Sequence, residues 1–447
     1  MKGESAAAGR RVIIVGAGFT GLAAGLELAQ RGVEVTVLEQ EEQVGGLASG
    51  FHVGESHVLE KFYHHWFTSD HYVMELISEL GASDQVLLRR TRTGMYYSGS
   101  HFRLSTPLDL LRFSALGFID RFRLGLLALR ARRVRNWRSL ESLTAAQWLR
   151  EMAGERVYRV VWEPLLKSKF GEFADDVSAV WMWNKLKLRG SSRRADGAET
   201  LAYFRGGFPA LAKRLRAAIE SLGGKVLTGV AAQGLRSEGG AVRAVVTTAG
   251  DIPADAVIAT PALPLIADLL RGHVSVEYVE DLCGVRYLAN VCLVLELDRS
   301  LSDTYWLNVN DPGFPFVGVV EHTNFEPAAH YGGSHIAYLS RYLPATDPMY
   351  ELSSDQILEF CLPHLRRIFP AFQADWVQHH HVWRARYAQP VVTRDYAAQI
   401  PSSETPLRGF YIASMAQIYP EDRGTNYAVR SGQSAAQAVM AFMSLEG

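Results

Sequence analysis

The stretch RVIIVGAGFTGLAAGLELAQRGVEVTVLE, residues 11–39, leaves the chain few ways to begin folding. RVIIVGAG is a nearly continuous β-branched run, the composition of a strand buried on both faces. Leu22, Leu26 and Ala29 then recur on one side of a helix that Gly32 stops. VEVTVLE returns as a second strand, so a βαβ unit and a parallel sheet are expected. Gly16, Gly18 and Gly21 occupy the turn between strand and helix, with Phe19 and Thr20 among them. In such a turn the first glycine permits the sharp bend, the second lets backbone approach a pyrophosphate, and the third lets helix and strand pack closely. The helix beginning near Thr20 would hold that pyrophosphate at its positive end. Glu39, followed by Gln40, stands close to the spacing at which an acid binds ribose hydroxyls. The pattern predicts a dinucleotide site.

At 447 residues the chain exceeds what one compact core usually supports, so two or more closely joined domains are expected. Its 46 Lys and Arg nearly cancel 47 Asp and Glu, which gives no argument for nucleic acid. Cys283, Cys292 and Cys361 are odd in number and lack CxxC spacing, so neither a disulfide framework nor a zinc site is expected. MKGESAAAGRR runs into the first strand without the apolar segment of a secretory signal, and no run of about 18 uncharged apolar residues occurs. These features fit a cytoplasmic protein that does not span a membrane.

Farther along, residues 107–150 read as helices rich in arginine: Arg112, Arg121, Arg123, Arg130, Arg132, Arg133, Arg135 and Arg138, opposed by Asp109, Asp120 and Glu141. Leu110, Leu111, Phe113, Leu116, Phe118, Ile119, Leu124, Leu126 and Leu127 are interleaved with them. Such a stretch suits a solvated helix face, an anionic membrane surface or a phosphorylated substrate. GGFPALAKRLRAAIESLGG predicts a helix, KVLTGV and DAVIATPA predict buried strands, and strands dominate from Val285 to Arg341. SSDQILEFCLPHLRRIF predicts an amphipathic helix. GFYIAS and NYAVRSGQSAAQAVMAFM close the chain as strand and helix.

After Glu39 comes QEEQVGGLASG, with the glycine doublet Gly45 and Gly46 followed by Leu47. A GxGxxG turn, VLE, a short spacer and GG together resemble the flavin amine oxidase, protoporphyrinogen oxidase and carotenoid desaturase superfamily. FRGGFPALAKRL, KVLTGV, DAVIATPA and GFYIASMAQIYPEDRGTNYAVRSGQSAAQAV extend the resemblance over most of the chain. It implies FAD, held noncovalently because no cysteine lies near the last helix. It also implies that Val230 meets the adenine through its backbone. Ser414, Gly424, Thr425 and Asn426 would stand where the last helix aims its N-terminus at the flavin, an end suited to the charge of reduced flavin. Departures from the family pattern are Gln43 and Leu47 beside the doublet, Ser414-Met415 in place of Gly-Asp, and Asn290 where amine-oxidising relatives carry Lys. They favour the protoporphyrinogen oxidase or desaturase side.

EKFYHHWFTSD, residues 60–70, follows the doublet and is expected to run beneath the flavin ring; it also resembles UDP-galactopyranose mutase, with His64 placed before a T-x-D turn. His64 or His65 would donate a hydrogen bond to the ring or move a proton near neutral pH. His322, in VGVVEHTNF, and Arg386, in QHHHVWRARYAQP, complete the candidate catalytic set. If VGVVEHTNF is a strand, Glu321 and Thr323 point opposite to His322 and Asn324. His379, His380 and His381 alternate likewise, without a carboxylate or cysteine to complete a ligand set, so no metal is expected.

The expected architecture is α/β: a Rossmann-like FAD-binding domain built from discontinuous segments, a mixed-sheet α+β substrate domain and a helical insertion. The FAD segments would be residues 1–70, 201–275 and 391–447, with substrate domain and insertion at 71–200 and the mixed sheet at 276–390. The expected activity is FAD-dependent hydride removal, by desaturation or dehydrogenation, from a bulky organic substrate that is phosphorylated or isoprenoid. One alternative is a flavin-dependent sugar-nucleotide mutase without net redox, in which Arg189, Arg193, Arg194 and the basic insertion hold a diphosphate. Another is a non-catalytic binding protein on the same fold. Peripheral membrane contact through helices 107–138 fits their charge.

Overall fold

Successive side chains of the strand Arg11–Val15 point to opposite faces, and both faces are covered. Val12 and Ile14 enter a core shared with the helices Phe19–Ala29, Gly207–Ser221 and Thr425–Leu445. Ile13 and Val15 join Leu235, Val242 and Val245, from a three-stranded antiparallel sheet of Ala232–Glu238, Ala241–Thr247 and Gly250–Pro253. This two-sided burial is why the strand is apolar without alternation. The computed structural model describes residues 9–54, 57–103, 107–191 and 199–445, with the side chains of 107, 108, 110 and 188–191 left out. Arg193, Arg194 and the side chains of Leu110 and Arg189 therefore lie outside the described residues.

Arg11–Val15 is central in a five-stranded parallel sheet ordered Lys225–Leu227, Glu34–Leu38, Arg11–Val15, Ala256–Ala259, Phe410–Ile412. Segments more than 150 residues apart in sequence thus make one sheet. A methyl group on Gly432 would come within 2.1 Å of the Thr20 carbonyl, so only glycine lets the last helix cross Phe19–Ala29 this closely.

A second sheet has seven strands, ordered Val377–Pro390, Tyr287–Leu297, His335–Leu343, Gly318–Glu321, Trp306–Val309, Thr93–Tyr97, Ser100–Arg103. It is mixed, because Trp306–Val309 pairs in parallel with Thr93–Tyr97 while its other pairings are antiparallel. Along Tyr287–Leu297, Val291, Leu293 and Leu295 pack with Ile357 and Leu365 of the helix Ser354–Ile368, which Ser353 and Gln356 cap reciprocally. Asn290, Cys292 and Val294 alternate onto the other face. The arginine-rich region forms helices Pro107–Arg112, Phe118–Arg133, Ala145–Ala153, Glu163–Phe170 and Ala179–Ser191.

The expected strand through VGVVEHTNF stops at Glu321 and becomes a tight 3₁₀ turn, His322–Asn324. Glu321 accepts from the Ser300 hydroxyl at 2.5 Å and from the Leu301 and Ser302 amides at 2.9 Å. Asn324 donates to the Ser302 and Thr304 carbonyls at 2.8 and 3.0 Å. Both side chains therefore hold the same loop, and the expected alternation gives way to local hydrogen bonding.

Glu60 ends the strand His57–Glu60 fully buried. Its carboxylate accepts from the Tyr203 hydroxyl at 2.8 Å and from the Phe208 amide at 2.7 Å, at the first turn of Gly207–Ser221. Its backbone carbonyl accepts from the Tyr338 hydroxyl at 2.8 Å, on the second sheet. Burial pushes the carboxyl up to about 6 from its ordinary 4.5, although the bonds from Phe208 and Tyr203 oppose the shift. The folded state thus holds the proton more tightly, so this contribution to stability is complete below about pH 4.5 and lost as pH rises through about 6. Replacing Glu60→Gln removes that dependence: the unfolding free energy of the native chain, relative to the variant, should fall by on the order of 2 kcal/mol across this window. Denaturant melts at a series of pH values measure it, and a constant difference would exclude a titrating Glu60.

Candidate functional site

The two glycine motifs meet. Gly45 donates its amide to the Ala17 carbonyl at 2.8 Å, and Gly18 and Gly45 form an isolated parallel bridge. A methyl on Gly21 would lie 1.9 Å from the Gly16 carbonyl oxygen, which keeps the helix start tight against the turn. The result is a backbone floor beside the N-terminus of Phe19–Ala29, where the first amides lack intrahelical partners. Glu39 is buried beside it, its carboxylate accepting from the Ala17 amide at 2.9 Å and the Glu41 amide at 3.1 Å. Burial raises its pKa, with those two amides working in the opposite direction.

Around this floor the expected cofactor residues divide by what they touch. Phe19 turns its ring into the core against Phe208, leaving only backbone at the turn. Gln40 is exposed, while Thr20, Gly18 and Leu47 are half-buried and Gly46 is exposed. Val230 directs its amide to the Glu39 carbonyl at 2.9 Å. Ser414 is buried where the strand Phe410–Ile412 gives way to a turn, its amide on the Gln417 side chain at 2.8 Å. Thr425 accepts from the Trp66 indole at 2.6 Å, and Asn426 accepts from the Val73 amide at 3.2 Å. The first of these bonds clamps the histidine-bearing segment to the start of the last helix, just after Gly424, and the second ties the following helix His71–Glu79 to the same place.

Within that segment the paired histidines part company. His65 lies 3.0 Å from the Tyr305 hydroxyl and packs edge-on against Phe67 and Trp306. His64 places Nδ1 2.6 Å from the Phe62 carbonyl; a carbonyl only accepts, so Nδ1 carries the proton and Nε2 the lone pair. Burial lowers its pKa to about 4, helped by the nearby Arg423 charge. Near neutral pH His64 is therefore an uncharged acceptor at Nε2, not the expected titrating group.

Arg423, whose charge acts on that histidine, is held by the second sheet. It donates to Gln389 at 3.1 Å and to the Tyr342 hydroxyl at 3.0 Å. Lys169 lies over the rings of Trp181 and Tyr342, at 4.8 and 5.2 Å. Asp422 is buried between the Trp181 indole, at 2.9 Å, and Lys185. Burial alone would raise Asp422, but Lys185, Lys169 and Arg423 outweigh it and hold the carboxyl well below the usual range. On the same sheet Asn290 donates to the Ser340 hydroxyl at 2.8 Å, while its buried carbonyl oxygen has no hydrogen-bond partner among the described residues. A buried acceptor left open in this way suits a ligand donor.

Two expected catalytic residues lie elsewhere. His322 is fully buried with Nε2 2.7 Å from the Tyr331 hydroxyl, among Tyr203, Phe325 and Tyr338, and burial lowers its pKa to about 3. It is a neutral part of aromatic packing. Arg386 is exposed on Val377–Pro390, the edge strand of the seven-stranded sheet. Sequence reasoning passed over Arg423, Lys169, Tyr342, Gln389 and Glu60. Only Arg423 carried a signal, its place directly before the GTN of the last helix.

A glycine floor at a helix N-terminus with a buried acid beside it defines a dinucleotide-binding class of protein. The chain matches the model of the flavin-containing amine oxidoreductases over residues 19–440, and it belongs to that family. Over 96% of its length, and 97% of the relative's, it is 22% identical to the zeta-carotene desaturase of Synechocystis sp.. Its fold is similar to that of cyclohexylamine oxidase from Brevibacterium oxydans IH-35A, with a TM-score of 0.73, 17% identity, and 98% and 100% of the two chains covered. It is also similar to that of reduced UDP-galactopyranose mutase, with a TM-score of 0.75, 14% identity, and 97% and 96% covered. At these identities the two structures speak for the fold. In this family the chain is an FAD-dependent oxidoreductase.

If Glu39 holds ribose hydroxyls, Glu39→Ala should weaken FAD binding roughly tenfold to a hundredfold, the value of a charged hydrogen bond. Titration of the apoprotein with FAD, followed by flavin fluorescence, measures this. Affinity unchanged by the substitution would remove Glu39 from the site.

Proposed function

We propose that this chain dehydrogenates a bulky, water-insoluble organic substrate by desaturation, using noncovalently held FAD. The observation that carries this reading is the joined glycine floor with Glu39 buried beside it; similarity to a carotene desaturase along nearly the whole chain supports the reaction type. When bound, FAD would supply a two-electron acceptor for the hydride leaving one C–H bond, while the neighbouring carbon gives up a proton to solvent as the double bond forms and an external oxidant closes the cycle. Gly16, Gly18, Gly21, Gly45 and Gly46 would approach the pyrophosphate, and the first turn of Thr425–Leu445 would offer amides to negative charge. Asn290 would orient a ligand through its open carbonyl oxygen, Tyr63, Trp306 and Tyr338 would exclude water, and His64 would accept a hydrogen bond at Nε2. The chain would work in the cytoplasm at the periphery of a membrane, where such substrates partition.

Arg423, Lys169 and Lys185 together favour a second reading, a sugar-nucleotide mutase that holds a diphosphate. An anaerobic assay separates the two. In the first, a dispersed polyene substrate bleaches the oxidised flavin by itself. If turnover instead needs prior dithionite reduction and consumes no acceptor, dehydrogenation is wrong. For His64, Asn in its place should slow turnover and leave the shape of the pH–rate profile between about pH 6 and 8 unchanged, since its own titration lies near 4. A limb in that window that disappears in the variant would show that His64 titrates there.

A further inference from the structure

The helix Phe118–Arg133 is built inside out for a surface helix. Leu127 and Ala131 are its buried positions, and the Ala131 carbonyl accepts from the Trp183 indole at 2.8 Å. On the outward side Phe118, Ile119 and Phe122 are 75%, 67% and 63% exposed, where polar residues are the rule. Phe118, Phe122 and Leu129 recur at helical spacing and share one side, and Leu111 of the preceding helix is exposed as well. Five of the eleven large exposed apolar residues in the described chain thus fall between residues 111 and 129. Such a concentration marks an interaction surface, whereas scattered exposed apolar residues do not.

The same segment is basic. Residues 107–138 hold eight arginines and two aspartates, in a chain whose formal net charge is −1. Arg112, Arg123, Arg130 and Arg133 are exposed, and helical spacing puts Arg123, Arg130 and Arg133 along the apolar strip. Rigidity is built in, because Arg121 donates to the Leu116 and Leu111 carbonyls and Phe113 and Leu116 are buried beneath the tip. No helix among the described residues is long and apolar enough to cross a membrane.

We infer that Phe118, Ile119 and Phe122 insert among the acyl chains of an anionic phospholipid surface while the surrounding arginines bind its phosphates. The charge decides the occupant: aromatic and aliphatic tips collared by arginine complement a phosphate layer over hydrocarbon. The helix Ala179–Ser191, which anchors Phe118–Arg133 through Trp183, also carries Trp181 and Lys185 to Asp422. The docking helix is therefore one helix removed from the candidate site, a short route for a lipid-dissolved substrate. This rests on the proposed substrate class for its purpose, and on geometry alone for the surface.

The test is flotation of the FAD-loaded protein with vesicles of equal phosphatidylglycerol and phosphatidylcholine, against phosphatidylcholine alone. Binding is expected only to the anionic vesicles. Combining Phe118→Ser, Ile119→Ser and Phe122→Ser, all exposed, should lower partitioning roughly a hundredfold with flavin content unchanged. Arg112→Gln with Arg133→Gln should lower it roughly tenfold, and less at high salt. The inference is overturned if the triple variant binds like the native chain, if the native chain ignores anionic vesicles, or if the surface instead pairs two copies, seen as a native dimer that the triple variant loses. Protein that binds vesicles but takes up no FAD would sink the flavin reading and leave this surface standing.

Discussion

One buried carboxylate joins parts of the chain that sequence keeps far apart. Glu60 reaches Tyr203 and the first turn of Gly207–Ser221 with its side chain, and Tyr338 of the seven-stranded sheet with its backbone. A carboxylate at this depth is tolerated because strong donors surround it and because burial shifts it toward the neutral form. The segment that follows, with both histidines, starts from this anchor and ends at the Trp66 clamp on Thr425. Between two fixed ends its side chains have little choice of direction.

That constraint explains why neighbouring histidines have different chemistry. His65 is drawn toward Tyr305, whereas His64 is closed onto the Phe62 carbonyl and lies near Arg423. The same enclosure that fixes the His64 tautomer also moves its titration away from neutrality. Charge in this region resides in Arg423, Lys169, Lys185 and Asp422, a cluster in which lysine and arginine keep the acid ionised.

The helical insertion faces two ways. Ala179–Ser191 turns Trp181 and Lys185 inward to Asp422, and through Trp183 it supports a helix whose outward side is apolar. Leu127 and Ala131 bury the inner side of Phe118–Arg133, so its outer phenylalanines are surplus to the core. Its outward side thus carries exposed apolar residues among exposed arginines, which the core does not need.

From its sequence alone the chain determined the βαβ opening, the dinucleotide turn, the position of Glu39 and the α/β class, because these rest on local rules: periodicity, glycine sterics and strand-end spacing. The helix Ser354–Ile368 was legible for the same reason, whereas the second sheet is mixed only because Trp306–Val309 lies parallel to Thr93–Tyr97, a pairing between segments distant in the chain. Tertiary structure decided what depends on neighbours distant in the chain. It ended the VGVVEHTNF strand at Glu321 and turned the chain there through bonds to residues 300–304, withdrew His322 into aromatic packing and left Arg386 in solvent. It also brought Arg423 to Tyr342 and Gln389, a meeting that no short window of sequence contains. Burial and hydrogen-bond partners set protonation, and both are properties of the assembled fold.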